Sequence, residues 1–244
     1  MTRLKTRTLL TTAIGISMLA LSACQSATTS QMSDTQLRTD KIAQALARAE
    51  NKTYGESSLK ALENRYKQSP DNELIATEYA YALRKNDYLA EAIKVLTPFA
   101  RDENSSAATK SEYAALQLAQ GNYKQAEEYA QKAVLKDENY DRAYHNLAIA
   151  LDAQGKHEQA ERAFRKGLDL WQGDPTSIMN NLALNLTAQG HLEEASEILQ
   201  KAKAIAPDKP EIERNLRIVT ALIQSDGAPA PKPQLKPDIK ETNN

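Results

Sequence analysis

Asn146-Leu147-Ala148-Ile149-Ala150-Leu151 returns 35 residues later as Asn181-Leu182-Ala183-Leu184-Asn185-Leu186. At the same shift Gln154-Gly155-Lys156-His157-Glu158-Gln159-Ala160 returns as Gln189-Gly190-His191-Leu192-Glu193-Glu194-Ala195, and Gly167 returns as Ala202. A shift of 34 towards the N-terminus puts Tyr113-Ala114 in place of Leu147-Ala148, Gly121 for Gly155, Ala126 for Ala160 and Ala133 for Gly167. A further 34 reaches Tyr79-Ala80 and Ala92. Small and large apolar residues at a fixed period of this size mark an all-α solenoid, in which a unit too thin for its own core hides its apolar side against its neighbours. Such a chain presents a surface, so its sequence is searched for a groove before a reaction centre.

The period divides the chain into four clear repeats, roughly 73–106, 107–140, 141–174 and 176–209. Each is expected to be two antiparallel helices of about 13 residues, about 20 Å long. In the first helices, Tyr79-Ala80, Tyr113-Ala114, Leu147-Ala148 and Leu182-Ala183 set a large residue beside a small one. The alanine admits a close partner helix and the large side chain fills the space alongside. Gly121, Gly155 and Gly190 end the first helices, with Asp87 in that place in the first repeat; a left-handed residue there is cheapest for glycine. Ala92, Ala126, Ala160 and Ala195 open the second helices, and Asp174-Pro175 and Pro207 mark repeat junctions. Pro98 falls late in a second helix, which is expected to end early or kink there.

Around the array lie less regular segments. Ser33-Asp34-Thr35-Gln36 reads as a capping box opening a helix with Leu37, Ile42, Ala45, Leu46 and Ala49 at helical spacing. Leu59, Leu62 and Tyr66 continue it into a second stripe, making a degenerate N-terminal helix pair. Residues 208–224 read as a closing amphipathic helix, with Ile212, Leu216, Val219, Leu222 and Ile223 on the apolar side. From residue 225 to 244 a Pro/Lys-rich tail is expected to be extended and disordered.

The first 23 residues hold Arg3, Lys5 and Arg7 and then an apolar run from Leu9 to Leu21, diluted by Thr11, Thr12, Gly15 and Ser17. Spanning a bilayer takes about 20 apolar residues, so this is a cleavable secretory signal better than a permanent anchor. It ends in Leu21-Ser22-Ala23-Cys24, which resembles a bacterial lipobox, and Cys24 is the only cysteine of the chain. The resemblance implies cleavage before Cys24, lipidation of its thiol and further acylation of the new N-terminus. Gln25 after the cysteine implies sorting to the outer membrane of a Gram-negative cell, on its periplasmic face. Residues 24–34 then form the lipidated cysteine and a flexible Ser/Thr/Gln tether, and 35–224 the array.

Over about residues 73–209 the units resemble the tetratricopeptide repeat, best in the third and fourth through Leu147-Ala148, Gly155, Ala160, Phe164, Leu182-Ala183, Gly190, Ala195, Ala202 and Pro207. Tyr144 and Met179 stand where that repeat usually has tryptophan. The resemblance implies a right-handed superhelical solenoid. With the lipobox, it extends to the TadD-type lipoproteins of the tight-adherence (Flp) pilus assembly system, carried by Asn181 to Leu186, Gln189 to Ala195 and Pro210-Glu211-Ile212-Glu213-Arg214-Asn215-Leu216. This implies an outer-membrane assembly factor for a pilus secretin or its components. Adaptor lipoproteins that gather peptidoglycan hydrolases or other envelope complexes share the outline and are the alternative.

The groove candidates follow from register. Asn146, Asn181 and Asn215 each precede a leucine of the repeat, 35 and 34 residues apart. They predict a column of amides on the groove wall, able to donate and accept along an extended peptide backbone. Arg142, Asn180 and Arg214 lie beside it, and the earlier repeats carry Glu78 and Glu112 in the same column. Tyr81 neighbours the column and is a contact candidate, whereas Tyr79, Tyr113 and Tyr129 fall on apolar stripes and read as core. Trp171 is expected to pack across a repeat junction. The bland alternative is that the polar column only keeps the groove wet.

Composition narrows the partners to proteins and, through the lipid, a membrane. Net charge is −1 overall, and removing residues 1–23 leaves about −4, so no basic field invites nucleic acid. His145, His157 and His191 are dispersed and no phosphate loop or metal-spaced pair appears. No cofactor, metal, small-molecule substrate or catalysis is expected.

Overall fold

The computed structural model describes residues 37–46 and 55–226. The leader, Cys24, the tether, the capping box at Ser33 and most of the Pro/Lys tail lie outside the described residues. Among those described there are eleven helices and no strand. They are α1 (37–46), α2 (Glu56–Gln68), α3 (Glu73–Lys85), α4 (Leu89–Arg101), α5 (Ala107–Ala119) and α6 (Tyr123–Lys136), followed by α7 (Asp141–Asp152), α8 (His157–Leu170), α9 (Thr176–Ala188), α10 (Leu192–Ile205) and α11 (Pro210–Asp226).

Each helix from α2 onward packs on its chain neighbour, and the first helices α3, α5, α7, α9 and α11 also touch one another in that order. The result is a superhelical solenoid with first helices as the inner layer and second helices as the outer one. Turn chemistry sets the pairs. Gly121, Gly155 and Gly190 take φ of 75°, 75° and 82°, and Asp87 takes 63°. Left-handed turns of this kind reverse the chain while Asn122, Lys156 and His191 return N–H bonds of 2.9–3.0 Å to carbonyls of the helix just ended. Aspartate tolerates the conformation better than most side chains, which explains the one substitution.

Packing follows the small–large pattern. Ala80, Ala114, Ala148 and Ala183 are fully buried, as are Ala92, Ala126, Ala160 and Ala195. One apolar cluster runs from Ile42 to Ala143 and a second from Ala148 to Val219. At Gly167, a Cβ would lie 2.9 Å from Ile178 Cδ1 and 3.1 Å from Tyr144 Cβ, so the helix crossing there is tighter than where Ala133 and Ala202 stand. Repeating polar ties join successive second helices to the turns that follow them. Gln154 Nε2 donates to Glu127 Oε2 at 2.7 Å and Gln189 Nε2 to Glu161 Oε2 at 2.9 Å.

Two expectations are adjusted. The helix holding Pro98 is not cut at the proline: α4 runs on to Arg101, with 13 residues against 14 in α6, α8 and α10, so the early end amounts to one residue. Proline deprives Lys94 of one N–H partner near the helix end, and the remaining turn closes through Phe99 O and the Asp102 N–H at 3.1 Å. On the closing helix α11, Ile212 and Val219 are buried as expected, but Leu222 is 40% exposed, because α11 reaches beyond the helices it covers.

Candidate binding groove

The inner layer encloses a cavity of about 450 Å³ that spans three repeats. Its wall takes Tyr81 and Arg84 from α3, Glu112 from α5, Arg142 and His145 from α7, and Trp171 from the end of α8. Leu46 of α1 completes the wall, so the N-terminal helix stands at this groove as well as at the array's end. No helix among the described residues is long and apolar enough to cross a membrane, and no cluster there has three metal-capable side chains.

The polar column forms, and each of its amides donates to a neighbouring first helix. Asn146 Nδ2 donates to Ser111 O at 2.9 Å and Ser111 Oγ at 3.0 Å. Asn181 Nδ2 lies 2.9 Å from His145 Nε2, and Asn215 Nδ2 donates to Asn180 Oδ1 at 2.8 Å. Every asparagine thus reaches back to the preceding first helix. The column is a set of struts that fixes rung spacing, and any grip on a peptide backbone is added to that role. Its acidic half is paired too: Glu78 accepts from Arg65 Nη1 at 3.0 Å, and Glu112 from Arg84 Nε and Nη2 at 2.6 and 2.9 Å. The Arg84 guanidinium also lies 5.1 Å from the Tyr81 ring centroid.

His145 is the electrostatic centre of the wall. Burial, seconded by the neighbouring Arg142 charge, pushes its pKa down to about 4. It is therefore neutral at pH 7 and Nε2 accepts from Asn181, with the proton on Nδ1. Its ring meets Trp171 edge-on at 5.5 Å and Phe164 at 6.1 Å. Trp171 donates through Nε1 to Asp174 O at 2.9 Å, so it ties the repeat junction and lines the cavity at once. Tyr79, Tyr113 and Tyr129 sit in or against the core as expected. Tyr81 reaches the cavity wall, but at 3% exposure it belongs to the core as well. Arg142 lines the cavity, while Arg214 is exposed on α11 outside it. Sequence reasoning did not name Arg84 or Ser111, and read Leu46 as part of an apolar stripe and not as a groove residue. Counting the same period from the residue before the column finds Ser111; Arg84 at the end of α3 and Leu46 before the regular repeats are placed only by coordinates.

Residues 105–173 and 145–210 match family models described as tetratricopeptide repeat. These residues are tetratricopeptide repeats, and the described chain has the solenoid fold of that class. A thermophilic TPR protein of Thermus thermophilus aligns with TM-score 0.60 at 18% identity, covering 77% of this chain and 99% of that one. MamA aligns at 0.50 and 20% identity, over 63% and 90% of the two chains. YrrB, described as a TPR protein with an unusual peptide-binding site, aligns at 0.52 and 15% identity, over 69% and 87%. Identities this low speak to fold alone. No curated protein matches this chain. Proteins of the tetratricopeptide class are in general non-catalytic modules for protein–protein interaction.

Proposed function

We propose that this chain is a non-catalytic lipoprotein, anchored through Cys24 to the periplasmic face of the outer membrane, that holds a segment of a partner protein in its concave groove while an envelope machine is assembled. The observation that carries the reading is the cavity across three repeats, with apolar, amide and arginine side chains converging on one inner wall. The Leu21-Ser22-Ala23-Cys24 stretch behind a basic and apolar leader supports the anchor. Several acyl chains hold a protein at a membrane far better than one, since each buried methylene adds about 0.8 kcal/mol. Likeness to TadD-type lipoproteins selects the tight-adherence pilus apparatus, with its secretin or another pilus component as the partner.

Two measurements test this. Cells fed an alkyne-labelled fatty acid should label the wild-type chain in the outer-membrane fraction and leave Cys24→Ser unlabelled; equal labelling removes the anchor. Affinity capture of the lipidated chain from solubilised membranes, read by mass spectrometry, should return secretin or pilus subunits. Recovery of peptidoglycan hydrolases in their place would transfer the role to a cell-wall adaptor.

A further inference from the structure

A buried hydroxyl in the groove wall has no partner in the fold. Tyr140 precedes the first turn of α7 and lines the cavity, although only 6% of the residue is exposed. At the same register of the two preceding repeats, Asn72 accepts the Ile75 N–H at 3.1 Å and Ser106 the Thr109 N–H at 3.2 Å. Tyr140 makes no such cap, and its hydroxyl bonds to none of the described residues. Among those residues the polar side-chain atom sealed from solvent without a partner is Thr39 Oγ1. The Tyr140 hydroxyl is therefore not sealed, and opens on the cavity that its side chain lines. Burial raises its pKa above the ordinary phenol value, so the O–H is intact at neutral pH. The same wall carries a free acceptor. Asn146 spends its Nδ2 hydrogens on Ser111, which leaves Oδ1 without a partner among the described residues.

We propose that the cavity receives uncharged amide groups of a partner segment, the Tyr140 hydroxyl donating to an amide carbonyl and Asn146 Oδ1 accepting from an amide N–H. The inference deepens the reading of the groove as a partner-binding surface and rests on it. A buried donor without an acceptor is destabilising, and an amide carbonyl from outside the fold removes that cost. An amide has both a donor and an acceptor, so a segment presenting several answers both residues, which stand more than one helical turn apart. A carboxylate has no hydrogen for Asn146 Oδ1, and an ammonium has no lone pair for the Tyr140 O–H. Charge agrees with a neutral occupant. Arg142 acts on the hydroxyl in one direction and Asp141, Glu112 and Asp137 in the other, and Glu112 is bonded twice to Arg84. No net positive field stands there to draw an acid. Lys85 also lines the cavity, but in the last turn of α3, at the opposite edge of the array. Ala115, Leu118 and Ile149 supply apolar wall for the aliphatic parts of the segment.

Trp171, the single tryptophan of the chain, lines the cavity and reports its occupancy by fluorescence. The full chain is titrated with capped tripeptides that have leucine at both ends and glutamine, leucine, glutamate or lysine in the middle. The glutamine and leucine forms should bind at least about tenfold more tightly than the charged ones, and Tyr140→Phe should weaken them at least about tenfold. Glutamine ahead of leucine assigns the carbonyl to a side chain, and equal binding assigns it to the backbone. Tyr123→Phe, at a position 40% exposed and outside the cavity wall, should bind as wild type does. Urea midpoints followed by circular dichroism complete the test. Tyr140→Phe should be at least as stable as wild type, because it removes a donor for which the fold has no acceptor. Binding indifferent to Tyr140→Phe, preference for glutamate or lysine, no binding of any peptide, or a variant less stable than wild type overturns the proposal. Capture of a partner by the lipidated chain is scored separately, so the wider groove reading can stand when this one falls.

Discussion

In the first half of the array α5 is buried almost all round, its Ser111 and Glu112 included, although both line the groove. In the second half α9 and α11 leave Leu184, Ile218 and Leu222 uncovered at the corresponding face. The interiors differ as well. Around α5 the chain buries Thr77, Ser106, Thr109 and Lys110, with Thr77 Oγ1 2.8 Å from Thr109 Oγ1 and Lys110 Nζ donating to Ala100 O at 3.3 Å and Asp102 O at 2.7 Å. Around α9 the cluster is Phe164, Ile178, Leu182, Leu186 and Leu199, with Asn185 the fully buried polar exception beside Thr176. Directional bonds specify the first half, and shape and apolar area specify the second. A solenoid transmits stability only between neighbours, so the two halves should answer perturbation separately.

The largest break in that comparison is expected in the apolar half. Phe164→Ala should cost about 3–5 kcal/mol in urea unfolding, the range for a truncated core aromatic. Lys110→Ala should cost less, about 2–3 kcal/mol, through the lost bonds to Ala100 O and Asp102 O, of which the second keeps its Ser105 donors, and through an unfilled space. Lys110→Met should recover part of it by keeping the volume; a methionine variant more stable than wild type would deny the ammonium its structural role.

Acid should find the junction between the halves. The folded-state pKa of His145 is depressed to about 4, so above about pH 6.5 folded and unfolded states are both neutral there and stability is intact. As pH falls from about 6.5 towards 4 the unfolded chain binds a proton that the folded one refuses, and about 2–3 kcal/mol is lost. Urea midpoints at pH 7.5 and 4.5, with His145→Gln as the flat control, measure it. A smaller and more local effect is expected from Ile42→Ala with Leu46→Ala: amide hydrogen exchange in α3 should quicken while α9 and α10 stay as they are. Uniform acceleration throughout would mean that the array opens as one unit. Least of all, Gly167→Ala should fall within about 1 kcal/mol of wild type, since the helix-propensity gain opposes the contact with Ile178.

The period of 34–35 residues was enough to read the helices, their pairing, the left-handed turns and the buried alanines, because each is a local consequence of spacing. Register also found the polar column. It could not tell what the column's hydrogens bond to, since Ser111, His145 and Asn180 become its partners only when first helices stand side by side. Nor did it reveal that Arg65 and Arg84 neutralise the acidic half, because these residues lie on a second helix and at a helix end, off the repeat's own pattern. Leu222 was misread because helical spacing says which residues share a face and not how far the neighbour extends.

The asparagine struts have a mechanical consequence. Each of Asn146, Asn181 and Asn215 is fastened to the helix before it, and Gln154 and Gln189 fasten turns to the outer layer. Tension drawn between the two ends of the spiral therefore meets a row of stitches, one per rung. In single-molecule pulling, extension should come in steps, each releasing one helix pair of about 34 residues.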